Sequence, residues 1–179
     1  MTNPAKRYTI MPIPVVEEHT RYFEADPIAI GVEYRLLNKA IVTRHVESQE
    51  AALEVDDDIN DRGVSVHVFA THEDGERLER LRFDCFDEDP HYHYVDWKEG
   101  SNDIVHLDAI ANGDSLTWAL ERIRTRLPQM LERAGAGDVA RRVDTTALDA
   151  ILPRVAEAAY RARYEHDDKA TLRAALTAR

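Results

Sequence analysis

Val64-Ser65-Val66-His67-Val68-Phe69-Ala70, then Asp74-Gly75, then Leu81-Arg82-Phe83-Asp84-Cys85-Phe86 is the stretch that decides the fold. It reads as an alternating β-branched strand, a dipeptide favoured in tight hairpin turns, and a second alternating strand. With Asp74-Gly75 as a two-residue turn, Glu73 faces Glu76, Val68 faces Leu81, Val66 faces Phe83 and Val64 faces Cys85. The register set by the turn therefore pairs apolar with apolar. A slip of one residue would exchange the two faces of the strand, so the agreement of turn and pattern is informative.

Outward from this hairpin, Asp87-Glu88-Asp89-Pro90 predicts a second turn, with Phe86 opposite His91 and Asp84 opposite His93. Leu81, Phe83, Cys85, Tyr92 and Tyr94 extend the apolar face. The other face collects Ser65, His67, Arg80, Arg82, Asp84, Phe86, His91, His93, Val95 and Trp97. Upstream, Val32, Tyr34 and Leu36 alternate with Glu33 and Arg35, so a strand over 28–37 adds Glu33 and Arg35 to the polar face. A short strand from Asp103 to Leu107 closes the meander. Residues 39–55 read both ways, Ala40-Ile41-Val42 as strand and Glu47–Leu53 as helix. Residues 1–27, with Pro4, Pro12, Pro14 and Pro27 and no sustained period, predict an irregular arm lying on the body or on another subunit.

Beyond Gly113 the period becomes helical. Leu116, Leu120, Ile123, Leu127 and Leu131 form one apolar stripe, with Asp114 or Ser115 as N-cap. Pro128 should bend or divide this helix, and Gly135-Ala136-Gly137 should end it. Further helices are expected from Thr146 to about Tyr164, across Pro153, and from Asp168 to Thr177. The prediction is an α+β fold in one domain: the arm (1–27), an antiparallel meander of four to five strands (28–110), and a helical part (111–179) packed on one face of the sheet.

The chain has 179 residues, 44% hydrophobic and 32% charged, enough to bury a core. One cysteine, Cys85, excludes a disulfide framework, and the opening residues lack the apolar run of an export signal, so a bacterial cytoplasm is the expected compartment. No stretch is apolar for long enough to span a bilayer. Residues 1–117 hold 11 basic and 25 acidic side chains within a net charge of −11, which disfavours nucleic acid as a partner. Only four of the 23 basic residues are lysines, as in proteins of GC-rich genomes.

His91-Tyr92-His93 with Asp84 is the sharpest constellation. Strand residues i and i+2 point the same way, about 6.5–7 Å apart along the strand, so two imidazoles can converge with a cross-strand carboxylate on one ion. Such a triad suits one divalent metal, Zn²⁺, Fe²⁺ or Mn²⁺. The plainer alternative is a polar outer face in which Asp84 orients His93 and pairs with Arg82. A third reading has Arg35, Arg80 and Arg82, beside His67, His91 and His93, binding a small anion against a wall of Phe86 and Trp97. Cys85, Tyr92 and Tyr94 face the core. His45, His72 and His106 have no identifiable partner.

Gly113-Asp114-Ser115-Leu116 resembles the first block of the GDSL esterases. The rest of that pattern is missing: the one Asp-x-x-His, Asp103 to His106, precedes the serine instead of following it, and a helix N-cap explains Asp114 and Ser115. Leu81-Arg82-Phe83-Asp84-Cys85-Phe86 followed by Pro90-His91-Tyr92-His93-Tyr94 resembles a pattern in small bacterial domains of unknown function. It is distantly similar to the TumE-type toxins of toxin–antitoxin pairs. That resemblance implies a small antiparallel sheet with helices and functional roles for Asp84, His91 and His93.

The leading expectation is a non-enzymatic binding or accessory protein, working with a protein partner or as a homodimer. The alternative is a metal-dependent enzyme with His91, His93 and Asp84 as ligands and Glu33 or His67 as acid/base groups.

Overall fold

The computed structural model describes residues 5–177. In chain order it contains β1 (Lys6–Tyr8), β2 (Arg21–Ala25), β3 (Ile28–Asn38), α1 (Lys39–Ser48), β4 (Asn60–Thr71), β5 (Arg77–Phe86), β6 (His91–Asp96) and β7 (Ser101–His106). Then follow α2 (Ala109–Asn112), α3 (Ser115–Arg133), α4 (Gly137–Ala140), α5 (Thr145–Tyr164) and α6 (Asp168–Thr177). The fold is α+β. The sheet is antiparallel with seven strands, in the order β1-β7-β6-β5-β4-β3-β2. The stretch 28–110 supplies five of them, and the arm adds one at each edge. The arm is thus not irregular throughout. Its two strands are only three and five residues long, too short to carry a visible alternation. Residues 1–4, the start of the expected arm, lie outside the described residues.

Between its strands the arm crosses the sheet from edge to edge, and it makes that crossing with its backbone. The Ile10 carbonyl accepts from Asn102 Nδ2 at 2.7 Å and the Met11 carbonyl from His45 Nε2 at 2.7 Å. The Ile13 and Pro14 carbonyls face Arg35, and the Val16 N–H donates to Glu33 Oε1 at 3.2 Å. Pro12 and Pro14 lack N–H groups, which keeps this segment out of any ladder. Residues 39–48 are helical, capped by the Asn38 side chain on the Ile41 N–H, and α1 closes the same side near Glu33 and Arg35. The polar face, expected at the surface, is therefore buried: Glu33 is 2% exposed, His67 0%, Arg82 2% and Asp84 5%.

The other face carries the core. Val64, Val66, Val68 and Leu81 are fully buried against Leu116, Ile123, Leu127 and Leu131, the stripe predicted for α3. Each such side chain contributes about 1.5–3 kcal/mol relative to exposure. Asp114 caps α3 through the Thr117 N–H. Pro128 and Pro153 do not divide their helices: α3 and α5 continue through them. Tertiary burial of their stripes outweighs the lost hydrogen bond.

The first hairpin has the expected far register, Val64 with Cys85, Val66 with Phe83 and Val68 with Leu81. Its turn differs. The His72 N–H donates to the Glu76 carbonyl at 2.8 Å, so Glu73, Asp74 and Gly75 form a three-residue loop with Gly75 at φ 86°. Phe69 then faces Glu79, one residue out of step, until a bulge with Arg80 as its extra residue restores the register. Arg80 consequently points to the helix side, bonding His72 Nε2 and the Ala134 carbonyl, and Glu79 takes a place on the polar face.

The second hairpin is shifted by two residues from expectation: Asp84 pairs with His91 and Arg82 with His93. The Asp61 carboxylate accepts from the N–H groups of Glu88 and Asp89 at 3.0 and 2.9 Å, tying the loop to β4 and widening it. A shift of two preserves the faces.

Gly63 is the tightest point of the β4–β5 pair. A Cβ there would meet the Cys85 carbonyl oxygen at 2.5 Å and Phe86 Cα at 2.8 Å, whereas one on Gly75 meets nothing within 4 Å. Gly63→Ala should cost at least about 1–3 kcal/mol in urea unfolding, and more than Gly75→Ala, whose only cost is the positive φ. Equal losses would show that the close approach at Gly63 does not constrain the pairing.

Candidate metal centre

Burying a polar sheet face requires every charge on it to be matched. Glu79, delivered by the bulge, matches two groups: Arg82 Nε and Nη2 donate to it at 2.9 and 2.8 Å, and His67 Nδ1 lies 2.6 Å from Oε1. On its other side His67 Nε2 lies 3.2 Å from Glu33 Oε2, misaligned for a hydrogen bond. Burial works against an imidazolium at His67, but the charge of Glu79, the contact with Glu33 and the bond to Glu79 outweigh it, so its pKa is raised. Burial likewise raises Glu33 and Glu79, yet Arg35 for the first and Arg82 for the second, each joined by His67, bring both below the usual carboxylate range.

Next to this network stands the triad singled out from sequence, and the structure brings it together. Asp84 Oδ2 lies 3.0 Å from His93 Nε2 and 3.4 Å from His91 Nε2. Asp84 Oδ1 accepts from the Ser65 hydroxyl. The two rings are held from behind. His91 Nδ1 lies 2.7 Å from the Asp89 carbonyl oxygen, which can only accept. His93 Nδ1 lies 2.8 Å from Asn102 Oδ1, and Asn102 Nδ2 is committed to the Ile10 carbonyl, so this oxygen also accepts. Both Nδ1 atoms therefore carry a proton, and both Nε2 positions are aimed at one carboxylate oxygen. A carboxylate facing two ring lone pairs needs a cation between them, either a proton or a metal ion.

In the metal-free chain that cation is a proton, and the two rings share it unequally. Burial disfavours charge on His91, but the bond and charge of Asp84 outweigh it and raise its pKa. At His93 burial prevails, reinforced by His91 and Arg82, and its pKa is lowered. For Asp84, burial is outweighed by bonds from both histidines and by Arg82, leaving its carboxyl well below the ordinary value.

The two distances to Asp84 Oδ2 fit a metal ion as well, and all three ligand atoms lie within 4.8 Å of one another. Ligand atoms about 2.0–2.1 Å from one ion lie about 3.3–3.4 Å apart in a tetrahedral array and about 2.9 Å apart in an octahedral one. His106, without a partner in the sequence, bonds Asp89 Oδ1 through Nδ1 at 2.8 Å and forms with Asp89 and His91 a second group of ligand-type atoms. That group is the poorer one: Asp89 is mostly exposed and His91 Nδ1 is already engaged.

The other predicted site residues are dispersed. Arg82 is paired through Nε and Nη2 with Glu79, Trp97 donates its indole N–H to the Glu79 carbonyl at 2.7 Å, and Arg35 lies under the arm. No anion seat forms from these three. Phe86 packs edge-on against the His91 ring. His45 finds Met11, and His72 finds Asp138 and Arg80. Cys85 is a buried thiol pushed up to about 12 by burial. Tyr92 is only partly buried, stacked beside Phe83. Glu79 and Asn102 were missed by sequence reasoning. The signal for Glu79 was the glycine-ended turn, which permits the bulge; Asn102 carried none.

Glu79→Ala would strand Arg82 and His67 and should cost about 3–5 kcal/mol in urea unfolding. A raised folded-state pKa at His67 means a stabilisation fully present below the unfolded value, about 6.5, and lost as pH rises through the folded value. The stability difference between wild type and His67→Gln should accordingly shrink on going from pH 6 to pH 9. A difference independent of pH would show that His67 folds uncharged.

Among the described residues no helix is long and apolar enough to cross a membrane. No curated protein and no solved structure matches the chain, and nothing found supports a likeness to TumE-type toxins. A family model does match residues 22–159, which include β2 but for Arg21, β3 to β7, Glu33, His67 and the Asp84–His91–His93 cluster. The resemblance to a domain family of unknown function is thereby given a definite form: the chain belongs to the family described as domain of unknown function DUF7700.

Proposed function

We propose that this chain is a metal-binding protein in which Asp84, His91 and His93 hold one divalent transition-metal ion, with Zn²⁺, Fe²⁺ and Mn²⁺ as the candidates. One observation carries the reading: Asp89 and Asn102 fix both imidazoles in the tautomer that turns Nε2 toward Asp84 Oδ2. Acceptors behind metal-binding histidines do this in general, raising the basicity of the ligating nitrogen and orienting the ring. Two imidazoles and one carboxylate leave coordination positions for water or a bound molecule.

A binding or accessory role fits this face better than catalysis. His67, an acid/base candidate, has none of its surface open, and Glu33 is engaged with the Val16 N–H, Arg35 and His67. Neither is free to exchange protons with a substrate. Metal-dependent chemistry would have to draw its proton carrier from the exposed side, where the His106–Asp89 pair stands beside His91.

Because this face is buried, isosteric changes test the proposal better than truncation. Calorimetric titration of metal-free protein with Zn²⁺ should give close to one ion per chain. Saturation at about 100 times Kd should stabilise the fold by about 2.7 kcal/mol, roughly 5–10 °C in Tm. Asp84→Asn and His91→Gln should each abolish both effects while keeping a cooperative unfolding transition. Equal Zn²⁺ binding by the wild type and by both variants would refute the assignment.

A further inference from the structure

A cavity of about 330 Å³ opens between the arm, β3, α1 and α6, away from the Asp84 cluster. Its size is that of a small-molecule site. Ile13, Val16, Leu36 and Ile41 supply apolar wall, and Arg35 and Glu33 reach it from β3. Glu33 accepts from the Val16 N–H at 3.2 Å and has His67 Nε2 at 3.2 Å, closer than Arg35 Nη1 at 3.5 Å.

Arg35 is the telling residue. It is 8% exposed, yet none of its contacts is close: 3.4 and 3.3 Å to the Ile13 carbonyl, 3.4 Å to that of Pro14 and 3.5 Å to Glu33 Oε2. Two strands away, Arg82 holds Glu79 at 2.8 and 2.9 Å, the range of charge-assisted bonds. A buried guanidinium held only at long range keeps donor capacity for another acceptor, and its planar fork matches a carboxylate.

We propose that this cavity binds a small amphipathic monocarboxylate, its carboxylate on Arg35 and its hydrocarbon part against Ile13, Val16, Leu36 and Ile41. The apolar walls supply burial for the hydrocarbon. Glu33 beside Arg35 opposes a doubly charged group such as phosphate, so a single negative charge is the better match.

The test is calorimetric titration of the full chain with hexanoate, with 1-hexanol, hexylamine and inorganic phosphate as neutral, cationic and bare-anion counterparts. Hexanoate should bind at one saturable site, and each counterpart at least about tenfold more weakly. Arg35→Met should lose the binding. Ala175→Trp, which fills the cavity from α6 and leaves Arg35 in place, should lose it as well with its unfolding transition retained, and it decides the matter if the arginine variant does not fold. His91→Gln should bind hexanoate like the wild type, since the cavity and the histidine cluster share no residue. The proposal is overturned by absence of saturable hexanoate binding, by hexanol, hexylamine or phosphate binding as tightly, or by hexanoate binding that survives Ala175→Trp.

Discussion

Glu79 receives Arg82 through two hydrogen bonds and His67 through a third, and it does so only because the bulge at Arg80 turns it to that side of the sheet. Without the bulge, a position beside His67 and Arg82 would hold Arg80, a third cation where an acid is needed. A face bearing Glu33, Arg35, His67, Arg82 and Asp84 cannot be covered by protein unless its charges cancel locally, since an unmatched buried charge costs several kcal/mol. The crossing of residues 9–20, the closure by α1 and the seclusion of the histidine cluster all depend on that cancellation.

The histidine cluster inherits its order from the same cover. Asn102 is aimed by the arm's Ile10 carbonyl, and Asn102 in turn fixes the tautomer of His93. The β5–β6 loop, widened by Asp61, places the Asp89 carbonyl behind His91. Two backbone segments far apart in sequence thus act on the two imidazoles from outside. The two Nε2 atoms stand 3.0 and 3.4 Å from Asp84 Oδ2 and are already turned to it, so the proposed ion would meet a largely preformed site.

The strands, their faces and the convergence of Asp84, His91 and His93 were legible because side-chain alternation reports them directly. The two-residue shift of the second hairpin left the faces intact, so the cluster survived a wrong register. The loop error at Asp74-Gly75 and the bulge at Arg80 cancelled beyond Leu81, which hid both. Burial of the polar face was not legible, because the arm covers it through main-chain carbonyls and those leave no trace in residue type. For the same reason the arm's strands, whose pairing is also backbone, escaped a reading based on hydrophobic period. Asn102 was invisible as a determinant of His93 because nothing marks an asparagine 9 residues away as its partner.

His91 and His93 keep their protons at Nδ1 and present Nε2 to Asp84. Imidazole ¹⁵N NMR at neutral to mildly alkaline pH, with and without Zn²⁺, reads this directly. The predicted result is Nδ1 protonated on both rings throughout, with the two Nε2 resonances moving on addition of one equivalent of Zn²⁺. Neutral rings protonated at Nε2, donating to Asp84 and unaffected by Zn²⁺, would contradict it and reduce the cluster to a structural hydrogen-bond network.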